Sequence, residues 1–305
     1  MLELPVLISG GGPVGLTASL LLSQHGVRSL LVERHPSTAL TPKARGINAR
    51  TMEVFRQCGI DTAVRQAGLQ EGRLGLIVWT ESLAGEEIER RVPGRATAKN
   101  MAATPVRNCL CAQDDLEPVI RRFAEAAGGL GALRFNTELT SFSQEPDAVT
   151  GMLTDRTTEA EIPFKTRYLI AAEGAQSRVR RALAVKMIGE ENVYDSVNIL
   201  FHADLTQWVE HRPAALYFVE QDELRATFLT INGRDRWGFP DPQPEKIRLA
   251  AAGLHAGILC DTDPEGRRRA GPCRIGAGRR PMGSVCHRCR PLSRRRRFPG
   301  RRRGA

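Results

Sequence analysis

Residues 4–33, LPVLISGGGPVGLTASLLLSQHGVRSLLVE, constrain this chain more than any other stretch. An apolar run leads into a glycine cluster, a helix-compatible segment follows, and a second apolar run ends on an acid. Gly10, Gly12 and Gly15 stand in G-x-G-x-x-G spacing, and Glu33 lies 18 residues beyond Gly15. That order describes a strand, a tight turn, a helix and a second strand, each with a task in gripping a dinucleotide. Gly10 permits the turn off the strand. Gly12 has no Cβ and lets a pyrophosphate approach the backbone, and Gly15 lets the helix lie close on the sheet. The helix start presents free N–H groups to phosphate, and Glu33 offers an acceptor to a ribose hydroxyl. A glycine-rich turn in an ordinary α/β domain is the competing reading. The strand, helix, second strand and acid occurring in order weigh against it.

Composition matters here mainly through its distribution. With 305 residues, 41% of them hydrophobic, the chain can hold one large or two modest cored domains. No apolar run approaches the ~20 residues that span a bilayer. The N-terminus reads as a strand carrying Glu3 rather than as a signal, so a cytoplasmic location is expected. The net charge of +10 is uneven: residues 267–305 contain 15 arginines and no Asp, Glu or Lys, and residues 1–266 carry a net −5. Any nucleic-acid affinity implied by the overall charge belongs to that tail. The seven cysteines, Cys58, Cys109, Cys111, Cys260, Cys273, Cys286 and Cys289, are odd in number and irregularly spaced, which argues against a disulfide framework. Cys286-His-Arg-Cys289 has zinc-knuckle spacing, but its surroundings of arginine and proline lack a foldable four-ligand loop, and no metal site is expected.

Along the rest of the chain, the spacing predicts a helix from about Ala49 to Cys58, closed by Gly59. Two strands are expected within 74–92, around a turn at Ala84-Gly85. A helix begins near Gln113, with Asp114 or Asp115 as its cap and Leu116, Val119, Ile120 and Phe123 on its core face. Residues 133–172 read as three strands, LRFNTELTSFSQ, AVTGMLTD and IPFKTRYLIAAEG, the last running into Glu173-Gly174 and a new helix. Residues 193–239 alternate apolar and polar residues as antiparallel strands with one face covered. From about Gly266 the periodicity ends, and the tail is expected to be disordered.

Five segments, GGGPVGL at 10–16, Glu33-Arg34, ARGINARTMEVFRQCG at 44–59, CAQDDLEPVI at 111–120 and YLIAAEGAQSRVRRAL at 168–183, occur in an order that resembles one family. It is the class A FAD-dependent aromatic hydroxylases, and the likeness is closest to the branch acting on aromatic polyketides. The resemblance implies an α/β fold: a glutathione-reductase-type FAD-binding domain (βαβ, Rossmann-like) with an interleaved, mainly antiparallel β substrate domain. The expected boundaries are 1–73 and 104–187 for the FAD-binding domain and 74–103 and 188–265 for the substrate domain, with 266–305 as the tail. It further implies FAD as cofactor, with Gly10, Gly12, Pro13, Val14 and Gly15 at its pyrophosphate and Glu33 and Arg34 at its adenosine end. Arg45 would meet the flavin side through a charge-assisted contact, and Gln113 the ribityl and phosphate region. Glu173-Gly174 matches the family's Asp-Gly element with one added methylene. Phe201, Tyr217, Phe228 and Trp237, with Trp79, are candidates to line the substrate site, although aromatic strand residues more often pack. No catalytic side chain is expected, because FAD supplies the chemistry: NAD(P)H reduces it and O2 provides the oxygen transferred to an electron-rich ring. The expected partners are an aromatic small molecule and O2, and no membrane.

The family's later Gly-Asp strand, reading roughly FLAGDAAH, and the helix after it do not appear in this sequence. Residues 298–305, FPGRRRGA, can be encoded so that the +1 frame reads Phe-Leu-Ala-Gly-Asp-Ala-Ala. The tail is therefore expected to be out-of-frame translation starting between about 250 and 275, and the product to be a truncated hydroxylase, with weak or absent FAD binding and inactive or poorly active in this form. Two alternatives are a non-catalytic nucleotide-binding remnant and, less favoured, a nucleic-acid-binding protein acting through the arginine-rich tail.

Overall fold

β1 (Leu2–Ser9) and β2 (Ser29–Val32) are apolar over most of their length because they are covered on both faces. In the computed structural model, which describes residues 1–69, 76–91, 102–127, 131–190, 197–220 and 225–241, both lie inside a six-stranded sheet. The sheet also holds β7 (Gly131–Arg134), β8 (Thr137–Gln144), β9 (Val149–Asp155) and β10 (Glu161–Ala171), in the order β7-β2-β1-β10-β9-β8. β7, β2, β1 and β10 run parallel, and β10 continues antiparallel into β9 and β9 into β8.

The helices needed by the parallel crossovers cover one face. α1 (Pro13–Gln24) follows β1 directly. α2 (Ala49–Gln57), α3 (Asp61–Ala67) and α4 (Gln113–Ala126) pack with it. Val6, Ile8, Leu16, Leu31, Met52, Phe55 and Ile120 form the shared core. Leu4, Leu7, Leu30, Leu153, Phe164 and Val179 form a second core on the opposite face. Each such side chain contributes roughly 1.5–3 kcal/mol by burial. A short ladder of β3 (Gly46–Ile47) and β6 (Cys109–Leu110) joins the segment before α2 to the segment before α4.

The described residues form two compact units, one within Met1–Glu71 and Ala96–Gly189, the other within Gly72–Arg95 and Glu190–Ala305. The second holds its own six-stranded sheet, in the order β11-β14-β13-β12-β4-β5. Its strands are β4 (Ile77–Thr80), β5 (Glu87–Arg91), β11 (Val197–His202), β12 (Leu216–Glu220), β13 (Arg225–Thr230) and β14 (Arg236–Asp241). All its pairings are antiparallel except β4 with β12.

Three local expectations are corrected. The helix at Gln113 is capped by neither Asp114 nor Asp115: Ala112 is the N-cap, without a side-chain bond, and both acids lie in the first turn, where the helix dipole favours them. The run LRFNTELTSFSQ is two strands, β7 and β8, separated at Asn136, whose φ of 55° turns the chain. The last six residues of α2's motif end as expected, with Gly59 at φ 73° just past the C-cap Cys58. The third correction concerns aromatic residues of the second unit and is given with the site. The arginine tail, with Cys260, Cys273, Cys286 and Cys289, lies outside the described residues. Among the described residues no helix is long and apolar enough to cross a membrane, and no cluster of His, Cys, Asp and Glu could hold a metal ion.

Candidate functional site

The ends of the parallel strands converge at the glycine turn. Gly10 leaves β1 at φ 111°, and a Cβ built on it would lie 2.4 Å from the carbonyl oxygen of Ala172. A Cβ on Gly15 would lie 1.9 Å from the carbonyl oxygen of Gly10, so only glycine lets α1 sit this close to the turn. Gly12 is different. A Cβ there would meet nothing nearer than Glu117 Oε1 at 3.9 Å. The space above Gly12 is open, and the fold itself does not demand a glycine there. Gly12 is the N-cap of α1 and Pro13 its first residue, so first-turn N–H groups of Val14 and Gly15 have no partner within the helix. Val14 is exposed at the mouth of the turn.

Glu33 stands at the end of β2 and folds onto this turn. Its Oε2 accepts from the Gly11 N–H at 2.6 Å, and its Oε1 accepts from the His35 N–H at 2.9 Å and contacts His35 Nδ1. Burial alone would raise its carboxyl, but the N–H bonds from Gly11 and His35 outweigh burial and hold it below its ordinary value. The neighbouring Arg34 is exposed.

Glu173 occupies the matching place after β10. Ser9 Oγ donates to its Oε1 at 3.0 Å; Ser177 Oγ and the Val179 N–H donate to its Oε2 at 2.7 and 3.0 Å. Glu173 thus ties β1 to the start of α5 (Arg178–Ala182). Gly174 follows at φ 75°, with open space around its Cα.

The third side of the turn comes from α4. Glu117, 3% exposed, has one carboxylate oxygen near Gly12. Gln113 Nε2 donates to Glu117 Oε1 at 2.6 Å, and the Ala39 N–H donates to Oε2 at 2.5 Å. The same region receives Arg45. Backbone bonds from Gln113 N to Ala44 O and from Cys111 N to Arg45 O, both 2.9 Å, fasten the Arg45 segment beside α4. Burial pushes the Arg45 guanidinium down to about 10, still charged at neutral pH. Burial likewise pushes the Cys111 thiol up to about 12, which keeps it an unreactive core residue.

The structure therefore brings together the glycine turn, Glu33, Gln113, Arg45 and Glu173-Gly174 within the first unit. The sequence reading missed Glu117, His35 and Ser9, which hold these residues in place.

In the second unit the four aromatic residues expected to line a substrate site are packing residues. Phe201, Tyr217, Phe228 and Trp237 are 8%, 0%, 2% and 1% exposed and share one core. Phe201 meets Phe228 edge-on, Tyr217 Oη accepts from the Ala214 N–H, and Trp237 Nε1 donates to Ala203 O. Strand alternation turns them all to the covered face. The opposite face of β4 and β12 carries Trp79 and Phe218, stacked with ring centroids 5.2 Å apart, and Arg91 over Trp79. Both rings are half-buried.

A family model described as the FAD binding domain matches residues 3–245. The chain belongs to the FAD-binding-domain family. It is 36% identical over 245 residues to a putative polyketide hydroxylase of Streptomyces halstedii, an overlap of 79% of this chain and 43% of that protein. To the tetracenomycin B2 monooxygenase-dioxygenase of Streptomyces olivaceus it is 38% identical over 251 residues, 78% of this chain and 46% of the relative. Among solved structures, the flavin-dependent monooxygenase PieE in complex with FAD and substrate superposes with a TM-score of 0.75 at 35% identity, covering 83% of this chain and 46% of PieE. The α/β FAD-binding fold and the likeness to FAD-dependent aromatic hydroxylases follow from these matches. The chain spans less than half the length of the curated relatives it matches. FAD is the cofactor of the family, and the residues present fit it: the space over Gly12 is a cradle that a Cβ would narrow, and unpaired first-turn N–H groups face it.

Proposed function

We propose that this chain carries the FAD grip and part of the substrate surface of an aromatic monooxygenase, one that hydroxylates a polyketide-like ring with NAD(P)H and O2. The observation that carries this reading is one open glycine turn flanked by Glu33, bonded to Gly11, and by Glu117 with its partner Gln113, while the Arg45 backbone is fastened beside the same helix. The first unit is the FAD-binding domain. Gly10, Gly12, Pro13, Val14 and Gly15 hold the pyrophosphate, with backbone N–H groups as donors. Glu33 and Arg34 take the adenosine ribose end, and Glu33 exchanges its bond to Gly11 for one to a ribose hydroxyl. Arg45 supplies positive charge toward the flavin side, Gln113 meets the ribityl region, and Gly174 lets the chain pass close to the pyrophosphate. When bound, FAD supplies the redox chemistry. The protein's part is to orient the cofactor and shield it from water.

The second unit is the substrate domain. Trp79 and Phe218, rather than the four buried aromatics, offer the flat apolar surface on which an aromatic ring would stack. Soluble NAD(P)H and O2 as co-substrates suit a cytoplasmic location.

The test is a purified preparation of the chain. Flavin absorbance bands acquired from added FAD, at weak affinity, with NAD(P)H oxidation stimulated by a phenolic polyketide, are the expected result. A colourless protein that takes up no added FAD overturns the reading. A nucleotide-binding protein without hydroxylase activity is the second reading. It is favoured by Glu173, which stands where the family has Asp and whose carboxylate already accepts three bonds from the protein. Flavin uptake without substrate-stimulated oxidation would select it.

A further inference from the structure

We infer that Glu117 is a positioning residue that fixes which end of the Gln113 amide faces the cofactor, and so makes Gln113 a reader of a hydroxyl group rather than of a phosphate. The inference rests on the FAD reading above and adds to it the chemistry that Gln113 recognises.

A glutamine amide has one end that donates and one that accepts, and the two are nearly isosteric, so neighbours decide its orientation. Here the neighbour is a buried carboxylate. Glu117 Oε2 is taken by the Ala39 N–H, and Oε1 faces Gln113 at 2.6 Å. Both oxygens accept, one from a backbone N–H and one from Gln113 Nε2, so the amide presents its donating end to Glu117. The amide is planar, which turns Oε1 of Gln113 away from Glu117, free to accept. A phosphate oxygen accepts and cannot bond to another acceptor. A sugar or ribityl hydroxyl donates and can.

Burial strengthens the arrangement. Glu117 is 3% exposed, so water competes little for its oxygens, and a buried carboxylate deprived of a donor is costly. The Ala39 bond spans 78 positions of sequence and also ties the polar loop after Glu33 to α4. Glu117 is thus not a surface acid of an amphipathic helix. It is the fixed point against which Gln113 is set.

The test compares two ligands on the full chain by isothermal titration: FAD, and ADP, which has the adenosine and both phosphates but no ribityl chain. Glu117→Gln keeps size and hydrogen-bond count. Its carbonyl oxygen still accepts from Ala39 N–H, and its NH2 donates to Gln113 Oε1, reversing the Gln113 amide. Removing the carboxylate charge beside Gly12 acts on both ligands alike, so the expected result is FAD binding weakened about tenfold relative to ADP binding in the same variant. Gln113→Ala should show the same split, and the double variant should be no worse than either single one. If Glu117→Gln does not fold, Gln113→Ala alone poses the question, since it removes the acceptor and leaves Glu117 in place. An unchanged ratio of FAD to ADP affinity, or multiplying losses in the double variant, would overturn the positioning role while leaving the FAD reading intact. A wild-type chain that binds neither ligand overturns the FAD reading and this inference with it.

Discussion

Gly12 and Gly15 are three positions apart, and the molecule asks different things of them. A Cβ at Gly15 collides with the Gly10 carbonyl, whereas one at Gly12 finds open space. Gly15→Ala should therefore destabilise the fold by about 1–3 kcal/mol or more, as overpacking does, read by urea denaturation. Gly12→Ala should leave the denaturation midpoint nearly unchanged and weaken FAD binding, because the added methyl stands where the pyrophosphate approaches. Equal stability losses in the two variants would refute this division. Glu33 makes a prediction about pH. Its folded carboxyl is lowered from 4.5, so its contribution to stability is fully present above that pH and is lost as pH falls through the folded value. Glu33→Gln should lose stability at neutral pH and show a shallower decline below pH 4.5 than wild type, measured as melting temperature across a pH series.

At the scale of elements, α2 illustrates how local signals and distant contacts divide the work. Asn48 Oδ1 accepts from the Thr51 N–H at 2.8 Å, a cap readable from ARGINARTME. Asn48→Ala should cost about 0.5–2 kcal/mol, seen as a lowered denaturation midpoint with the flavin site unaltered in the folded protein. The βαβ start, α2 with its closing Gly59 and the strand entering Glu173-Gly174 were all legible, because their signals are short-range: apolar period, cap and glycine. Glu117 was not. In CAQDDLEPVI it reads as one more helix acid, and only a loop 78 residues earlier buries it. The substrate-side aromatics failed for a related reason. A period of two separates the faces of a strand, but nothing local says which face meets the core, so the sequence does not distinguish buried Tyr217 and Trp237 from Phe218, which lies on the other face. The break at Asn136 had a visible signal in Phe-Asn-Thr, yet the flanking apolar alternation concealed that the two halves pair in opposite senses.

Across the whole molecule, charge is segregated along the chain: net −5 over residues 1–266, with every acid, and 15 arginines in the remainder. Deleting 267–305 should convert a protein retained on cation exchanger into one that is not, and leave the FAD dissociation constant within about twofold. A flavin affinity that falls with the tail would contradict this division of labour. The pairing of β1 with β10 has a consequence in time. β1 is made well before the neighbour that seats its glycine turn, which is nearly the last of the unit: Ser9 and Glu173 are bonded across 164 positions. At ~5–20 residues per second, roughly ten to thirty seconds separate their synthesis. During that interval β1 has β2 on one flank and nothing of its own on the other. In a nascent chain β1 therefore keeps one edge unpaired until β10 emerges, and the nucleotide grip is completed late.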